Sequence, residues 1–364
     1  MKLKEICTII EDFAPLSLQE SYDNSGLLIG EPDLEVKKAL ITIDVTEEVV
    51  NEAIKSGCDL IVSHHPLIFK GLKKINSKNP VERIVKKCLQ NNIAVYAAHT
   101  NLDNIREGVN AMISHKLGLQ NTRILSVKTQ ILRKLAVFCP ESHARQVREA
   151  VFQAGAGHIG NYDSCSFNLA GQGTFRAMQG ADPFVGKVGQ LHFENEVRIE
   201  AIYPVYSERN IIIAMQKAHP YEEVAYDIYS LENEFNAVGA GMIGELENET
   251  DSVEFLQKLK EMFETGCIRH TKIVSEKVKK IAVCGGSGIF LLNDAIKAGA
   301  DVFITGDVKY HDFFEADDKI IIADVGHFES EQFTKELLMN LLKKNISTFA
   351  VQISKVKTNP VFYL

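Results

Sequence analysis

No stretch of this sequence reaches the ~18 consecutive apolar residues that a membrane-spanning helix requires, so no helical membrane segment is expected. None of the seven cysteines forms a Cys-x-x-C pair, and an odd number fits no closed disulfide framework; reduced thiols in a cytoplasmic protein are expected. The opening MKLKEICTIIEDF lacks the unbroken apolar segment of a signal peptide. Glu5, Glu11 and Asp12 interrupt it, and Leu3, Ile6 and Ile10 fall at helical spacing. Positive charge is in deficit, with 40 basic against 48 acidic residues and a net charge of −8. With no basic stripe interleaved with aromatics, that balance argues against nucleic acid or anionic lipid as a partner. Low-complexity and single-sign blocks are missing, so an ordered chain is expected. No Ser-His-Asp or Cys-His signature stands out either.

What is present is an ordinary globular composition, 45% hydrophobic and 24% charged over 364 residues, long enough for two or three domains. It contains an internal repeat. Residues 37–65, KKALITIDVTEEVVNEAIKSGCDLIVSHH, align without a gap to 279–307, KKIAVCGGSGIFLLNDAIKAGADVFITGD. Each copy reads as strand, loop, helix and strand, with Gly57 or Gly299 at the helix C-terminus. The second strand, DLIVS or DVFIT, is apolar on both faces, as a central parallel strand should be. Further on, IAVYAAHTNLD at 93–103 corresponds to IIADVGHFESE at 321–331, each an apolar strand ending in His-x-x-x-carboxylate. A long helical pattern follows each time. The expectation is an α/β domain of two pseudo-symmetric βαβ-based halves, formed by residues 1–126 plus 238–364.

The intervening residues 127–237 lie outside the repeat. RKLAVFCP, SHARQVREAVFQAG, SCSFNLAGQGTFRAM, VRIEAIYPVY, ERNIIIAMQKAH and EEVAYDIYSL read in the order β-α-β-β-α-β. That is the ferredoxin-like pattern of an inserted α+β domain, flanked by the Gly-rich stretches QAGAGHIGN and AVGAGMIG.

The chemistry points to strand ends, where open α/β sheets bind ligands. Ser63-His64-His65-Pro66 closes a buried strand, and at the turn both imidazoles can reach one crevice and hold different metal ions. Alternatively the stretch is a polar loop whose histidines cap helix ends. The repeat adds His327, Asp103 and Glu331, with His99 close by, and an imidazole–carboxylate set suits Zn²⁺, Fe²⁺, Mn²⁺ or Co²⁺. Too few ligands for two closed shells implies open positions. Asp103 could instead N-cap a helix beginning at Asn104, and His99 would stand behind the ligands. Tyr22 to Gly30 is either a tight turn capped by Asn24 or a substrate contact. Asp44 is placed to orient a ligand histidine. Cys284-Gly285-Gly286-Ser287-Gly288 is either a phosphate cradle or a strand-to-helix turn. In the second copy Gly306 and Asp307 replace the two histidines, making Asp307 and His311 candidates for proton transfer; a helix-capping role is the alternative for Asp307.

In order, YDNSGLLIG, DVT, SHHPLIF, HTNLD, CGGSG, TGDVKYHD and GHFESE resemble the Nif-three-like family (Ngg-one-interacting factor three homologues), whose bacterial members are labelled GTP cyclohydrolase type-two homologues. The resemblance spans nearly the whole chain. The insert, with HPYEEVAYDIY at 219–229, is similar to the CutA- or P-II-like module of the longer members. The resemblance implies a dinuclear centre on His64, His65, Asp103, His327 and Glu331, with two divalent ions per chain, zinc first. It also implies a toroidal homohexamer. A metal-dependent hydrolase acting on a nucleotide or other small ring substrate is one reading; a non-catalytic metal-binding or ligand-sensing ring is the other.

Overall fold

Short apolar runs bounded by polar turns become buried strands, and amphipathic runs between them become helices that cover the sheets. A computed structural model describes residues 1–364. In its first part α1 (Leu3–Phe13), β1 (Gly26–Ile29), β2 (Lys38–Thr42), α2 (Glu47–Ser56), β3 (Leu60–Ser63), α3 (Pro80–Gln90), β4 (Ala94–Ala97), α4 (Thr100–Asp103), α5 (Val109–Lys116) and β5 (Gln120–Val127) follow one another. Next come β6 (Leu132–Pro140), α6 (Ala144–Gln153), β7 (Phe167–Arg176), β8 (Leu191–Pro204), α7 (Glu208–Ala218) and β9 (Tyr226–Ser230). The last part holds β10 (Gly239–Asp251), α8 (Ser252–Met262), β11 (Arg269–His270), β12 (Lys277–Val283), α9 (Leu292–Lys297), β13 (Val302–Thr305), β14 (Ile321–Asp324), α10 (His327–Glu331), α11 (Thr334–Asn345) and β15 (Ala350–Ile353). No helix is long and apolar enough to cross a membrane, and all seven cysteines are free thiols.

The chain divides into two compact units, residues 1–127 with 236–364, and residues 128–235. The first unit carries two sheets. One has the order β1-β4-β3-β2-β15, the other β11-β14-β13-β12-β10-β5. In each, three repeat strands run parallel, β2-β3-β4 and β12-β13-β14, and a short antiparallel strand flanks the third, β1 beside β4 and β11 beside β14. The repeated sequence thus yields a repeated topology. The local reasons match as well. Thr46 caps α2 by accepting from the Val49 N–H, and Gly57 ends that helix at φ +63°, with Gly299 at +72° after α9. Leu40, Ile61 and Val95 lie in the core of the first sheet, and Ala282, Phe303 and Ile322 in that of the second.

The second unit follows the chain order β-α-β-β-α-β and forms one antiparallel sheet, β7-β8-β6-β9. Val147, Val151, Ile211 and Met215 from its two helices pack on Leu135, Val137, Ile199 and Ala201 of the sheet.

Two local expectations are corrected. No helix begins at Asn104. Thr100–Asp103 form a short turn of their own, and the next helix starts at Val109, so Asp103 ends one helical turn instead of capping another. Likewise His327 and Glu331 both lie on α10. The His-x-x-x-carboxylate spacing is therefore i, i+4 on a helical turn just beyond a strand, which puts both side chains on one face.

Candidate metal centre

The carboxyl ends of β3, β4 and β14 deliver four imidazoles into one cluster. His64 and His65 follow Ser63 directly, and the Ser63 hydroxyl donates to the His65 carbonyl at 2.8 Å, bending the chain at the strand end. Ring centroids are 5.0 Å apart for His64 and His65, 5.3 Å for His99 with each of them, and 5.2 Å for His65 and His327.

Every ring is tethered through Nδ1. His64 Nδ1 donates to the Ala98 carbonyl at 2.8 Å. His65 Nδ1 donates to Asp44 at 2.8 Å, His99 Nδ1 to Asp23 at 2.8 Å and His327 Nδ1 to Asp307 at 2.7 Å. Each partner is a carbonyl or carboxylate with only lone pairs to offer, so the proton sits on Nδ1 and the Nε2 lone pair is free for a cation. The Nε2 atoms of His64, His65 and His327 converge on Glu331. His65 Nε2 lies 2.9 Å and His327 Nε2 3.2 Å from Glu331 Oε2, while His64 Nε2 lies 3.6 Å from Glu331 Oε1 and 3.7 Å from Asp103 Oδ1. The His65 and His327 Nε2 atoms are themselves 3.3 Å apart. Two tight groups of ligand atoms result, His64 with His65 and His99, and His65 with His327 and Glu331, each within 4.8 Å. His99 therefore stands with the ligand group, whereas Asp103 stands at its edge.

This arrangement fits a divalent cation. His64 Nε2 is buried with no hydrogen-bond partner, and leaving such a group unsatisfied costs about 1–3 kcal/mol. Imidazole lone pairs facing one another and a carboxylate need positive charge between them. In the chain alone, protons supply it. Burial works against charge on His65, but Asp44 and Glu331 outweigh it and hold the imidazole up to about 10; the same opposition, with Glu331 and Asp307 as partners, holds His327 up to about 9. Burial would raise Glu331, yet the surrounding histidines, His64 foremost, keep it well below the ordinary glutamate range. Asp103 goes the other way, pushed up by burial.

Glycines make room for the cluster. A Cβ on Gly286, at φ +63°, would lie 2.2 Å from Glu331 Oε1, and one on Gly306 would meet the backbone of Gly326 and His327 at 2.8–2.9 Å. The second copy thus has no space for a counterpart of His64, and Asp307 at the His65 position orients His327 instead. The Gly-rich turn after β12 uses its N–H groups internally. Gly285 donates to Asn110, Gly286 to Ser330 and Gly288 to Thr305, which rules out the phosphate cradle. His311 packs on Tyr310 and Phe314.

Two contributors escaped the sequence reading. Asp23, not Asn24, orients His99 and accepts from the Thr100 N–H at 3.0 Å; Asn24 donates to the Ile68 carbonyl at 2.5 Å. Thr358, near the C-terminus, donates to Asp44 Oδ2 at 2.6 Å, fixing the carboxylate that fixes His65. Tyr22 lies against Phe69, whose ring meets His99 edge-on at 6.4 Å, which sets both rings at the margin of the cluster.

Comparison with known proteins agrees with this picture. The sequence model for Duf34/NIF3 (NGG1p interacting factor 3) matches residues 1–360. A Bacillus subtilis protein named GTP cyclohydrolase 1 type 2 homolog is 41% identical over 370 residues, covering 99% of this chain and 98% of that protein. Its namesake from Halalkalibacterium halodurans is 40% identical over 364 residues, with 99% and 98% covered. The solved structure of a Bacillus cereus protein related to NIF3 superposes with a TM-score of 0.85 at 40% identity, covering 100% of this chain and 99% of that one. The chain belongs to the Duf34/NIF3 family.

Proposed function

We propose that the cluster holds two divalent metal ions, zinc first among Zn²⁺, Fe²⁺, Mn²⁺ and Co²⁺, and that the protein is a metal-dependent hydrolase acting on a nucleotide-like or small cyclic substrate. The observation that carries this reading is the tethering of the Nδ1 atoms, which turns the opposite lone pairs of His64, His65 and His327 toward the buried Glu331 carboxylate. His64, His65, Asp103, His327 and Glu331 are the proposed ligands, with His99 beside them. When bound, such a pair of ions lowers the pKa of coordinated water and polarises the bond to be broken. The chain's own part is to aim the imidazoles and to move a proton. Asp307 holds His327 through Oδ2 and is 55% exposed, which leaves Oδ1 open to substrate. His311, on the same loop, is the other proposed proton carrier. The names of the Bacillus and Halalkalibacterium relatives support a nucleotide such as GTP as the first substrate class to examine. Seven free thiols support a cytoplasmic location, and a toroidal homohexamer is the proposed assembly.

The unit 128–235, proposed as an inserted ferredoxin-like domain of the CutA or P-II kind, favours a second reading, a ligand-sensing metalloprotein. It carries a cavity of about 730 Å³ lined by Phe138, Phe175, Phe184, Tyr221 and Arg198. A turnover screen over nucleotides, phosphoesters and cyclic amides with metal-loaded protein separates the two. Hydrolysis that falls roughly 10²–10⁴-fold in Asp307→Asn once excess metal has restored its full content supports the enzyme; metal-loaded protein without any turnover supports the sensor.

A further inference from the structure

Two aromatic rings stand in solvent beside the histidine cluster. Tyr22 is 63% and Phe69 45% exposed. Their centroids are 6.3 Å apart with planes tilted by 43°, and Phe69 meets His99 edge-on at 6.4 Å. His99 belongs to the ligand group of His64 and His65, so the rings flank the centre itself. They are also held in place. Asn24 ties the Tyr22 loop to the Phe69 loop through the Ile68 carbonyl, and Asp23, next to Tyr22, binds His99 and Thr100. The Asp23 bond that orients His99 and the Asn24 bond to Ile68 thus hold the backbone next to each ring.

The chain leading away from Phe69 has its own character. Lys70, Lys73, Lys74 and Lys78 follow, all exposed, and no acidic residue occurs before Glu82. Glu82 acts on Lys78; in a protein of net charge −8, the exposed Lys70, Lys73 and Lys74 beside exposed rings suit an anion attached to something flat.

We propose that Tyr22 and Phe69 form a stacking platform for the planar heteroaromatic ring of a phosphorylated small molecule, and that the lysines of the 70–78 loop receive its phosphate. The proposal deepens the function given above and rests on it for the link to chemistry. Stacking on an aromatic side chain is sequence-tolerant and sensitive to truncation, whereas lysine–phosphate attraction is sensitive to salt.

The test is calorimetric titration of the full-length protein with GMP, guanosine and ribose 5-phosphate, with metal content measured on the same samples. GMP is expected to bind tightest. Phe69→Ala and Tyr22→Ala should each weaken GMP and guanosine about tenfold or more, while Phe69→Trp retains binding. Lys73→Ala with Lys74→Ala should weaken GMP, flatten its salt dependence and leave guanosine unchanged. Metal content should stay at the wild-type level throughout, since none of these residues reaches the cluster as a ligand. Ribose 5-phosphate binding as well as GMP, GMP binding indifferent to both ring truncations, or no GMP binding at millimolar concentration would each overturn the platform. A protein that holds its metals but binds no ring fails only this inference. One that binds the ring through Tyr22 and Phe69 but takes up no metal fails only the proposed function.

Discussion

At the scale of single residues, each imidazole of the cluster is governed by a partner at its Nδ1. Asp44, Asp23 and Asp307 perform this for His65, His99 and His327, and a backbone carbonyl performs it for His64. Asp44 is in turn held by Thr358, 314 positions from it, so the orientation of His65 depends on a residue remote in sequence. Partners of this kind typically contribute 10–100-fold to metal affinity. Thr358→Val removes the hydroxyl and keeps the shape. We expect it to weaken the tighter-measured divalent ion by about tenfold in a chelator competition, with Thr358→Ser restoring the wild-type value. An unchanged affinity in Thr358→Val would mean that Asp44 holds His65 without help.

At the scale of elements, the two copies of the repeat have divided the work. The first strand-end loop offers two imidazoles, and the second offers Gly306 and Asp307 because backbone from Gly326 and His327 occupies the space a side chain would need. Gly306→Ala should push that backbone, displace His327 and lower the metal content, with a stability loss of roughly 1–3 kcal/mol from overpacking. Metal analysis and thermal melting of the variant check both. If Gly306→Ala melts and binds metal like the wild type, the close approach does not define the centre.

The repeat explains how much of this was legible. His64 and His65 follow an apolar strand directly, and the aligned second copy pointed to His327 and Glu331 at equivalent strand ends. Asp23 left no such trace. It meets His99 across 76 positions, and no local pattern tells it from its neighbour Asn24, which turned out to pin Ile68 instead. Thr358 is more remote still. The Cys284–Gly288 turn looked open to a phosphate because sequence does not show that Asn110, Ser330 and Thr305 already accept its N–H groups. Helical spacing of His-x-x-x-carboxylate was visible as a motif, but its placement on short turns just past the strands was decided by tertiary packing.

At the scale of the whole molecule, β5 and β10 pair with Val127 opposite Gly239, so the chain leaves the first unit and re-enters it at adjacent points of one sheet. Replacing residues 128–235 by a short Gly/Ser linker would close a hairpin without stretching either strand. The shortened chain is expected to fold and to bind metal like the full one. Aggregated, metal-free product would show that the first unit needs the second to fold.

The central claim is that three oriented imidazoles and two carboxylates, with His99 beside them, hold a pair of divalent ions. The most direct measurement is elemental analysis of chelator-free protein at known chain concentration, beside His65→Ala. The account predicts about two ions per wild-type chain, and about one in His65→Ala with its fold preserved, because His65 lies beyond a strand that is apolar on its own account. A wild-type stoichiometry that stays below one, with zinc, iron, manganese and cobalt each supplied in excess, would contradict it.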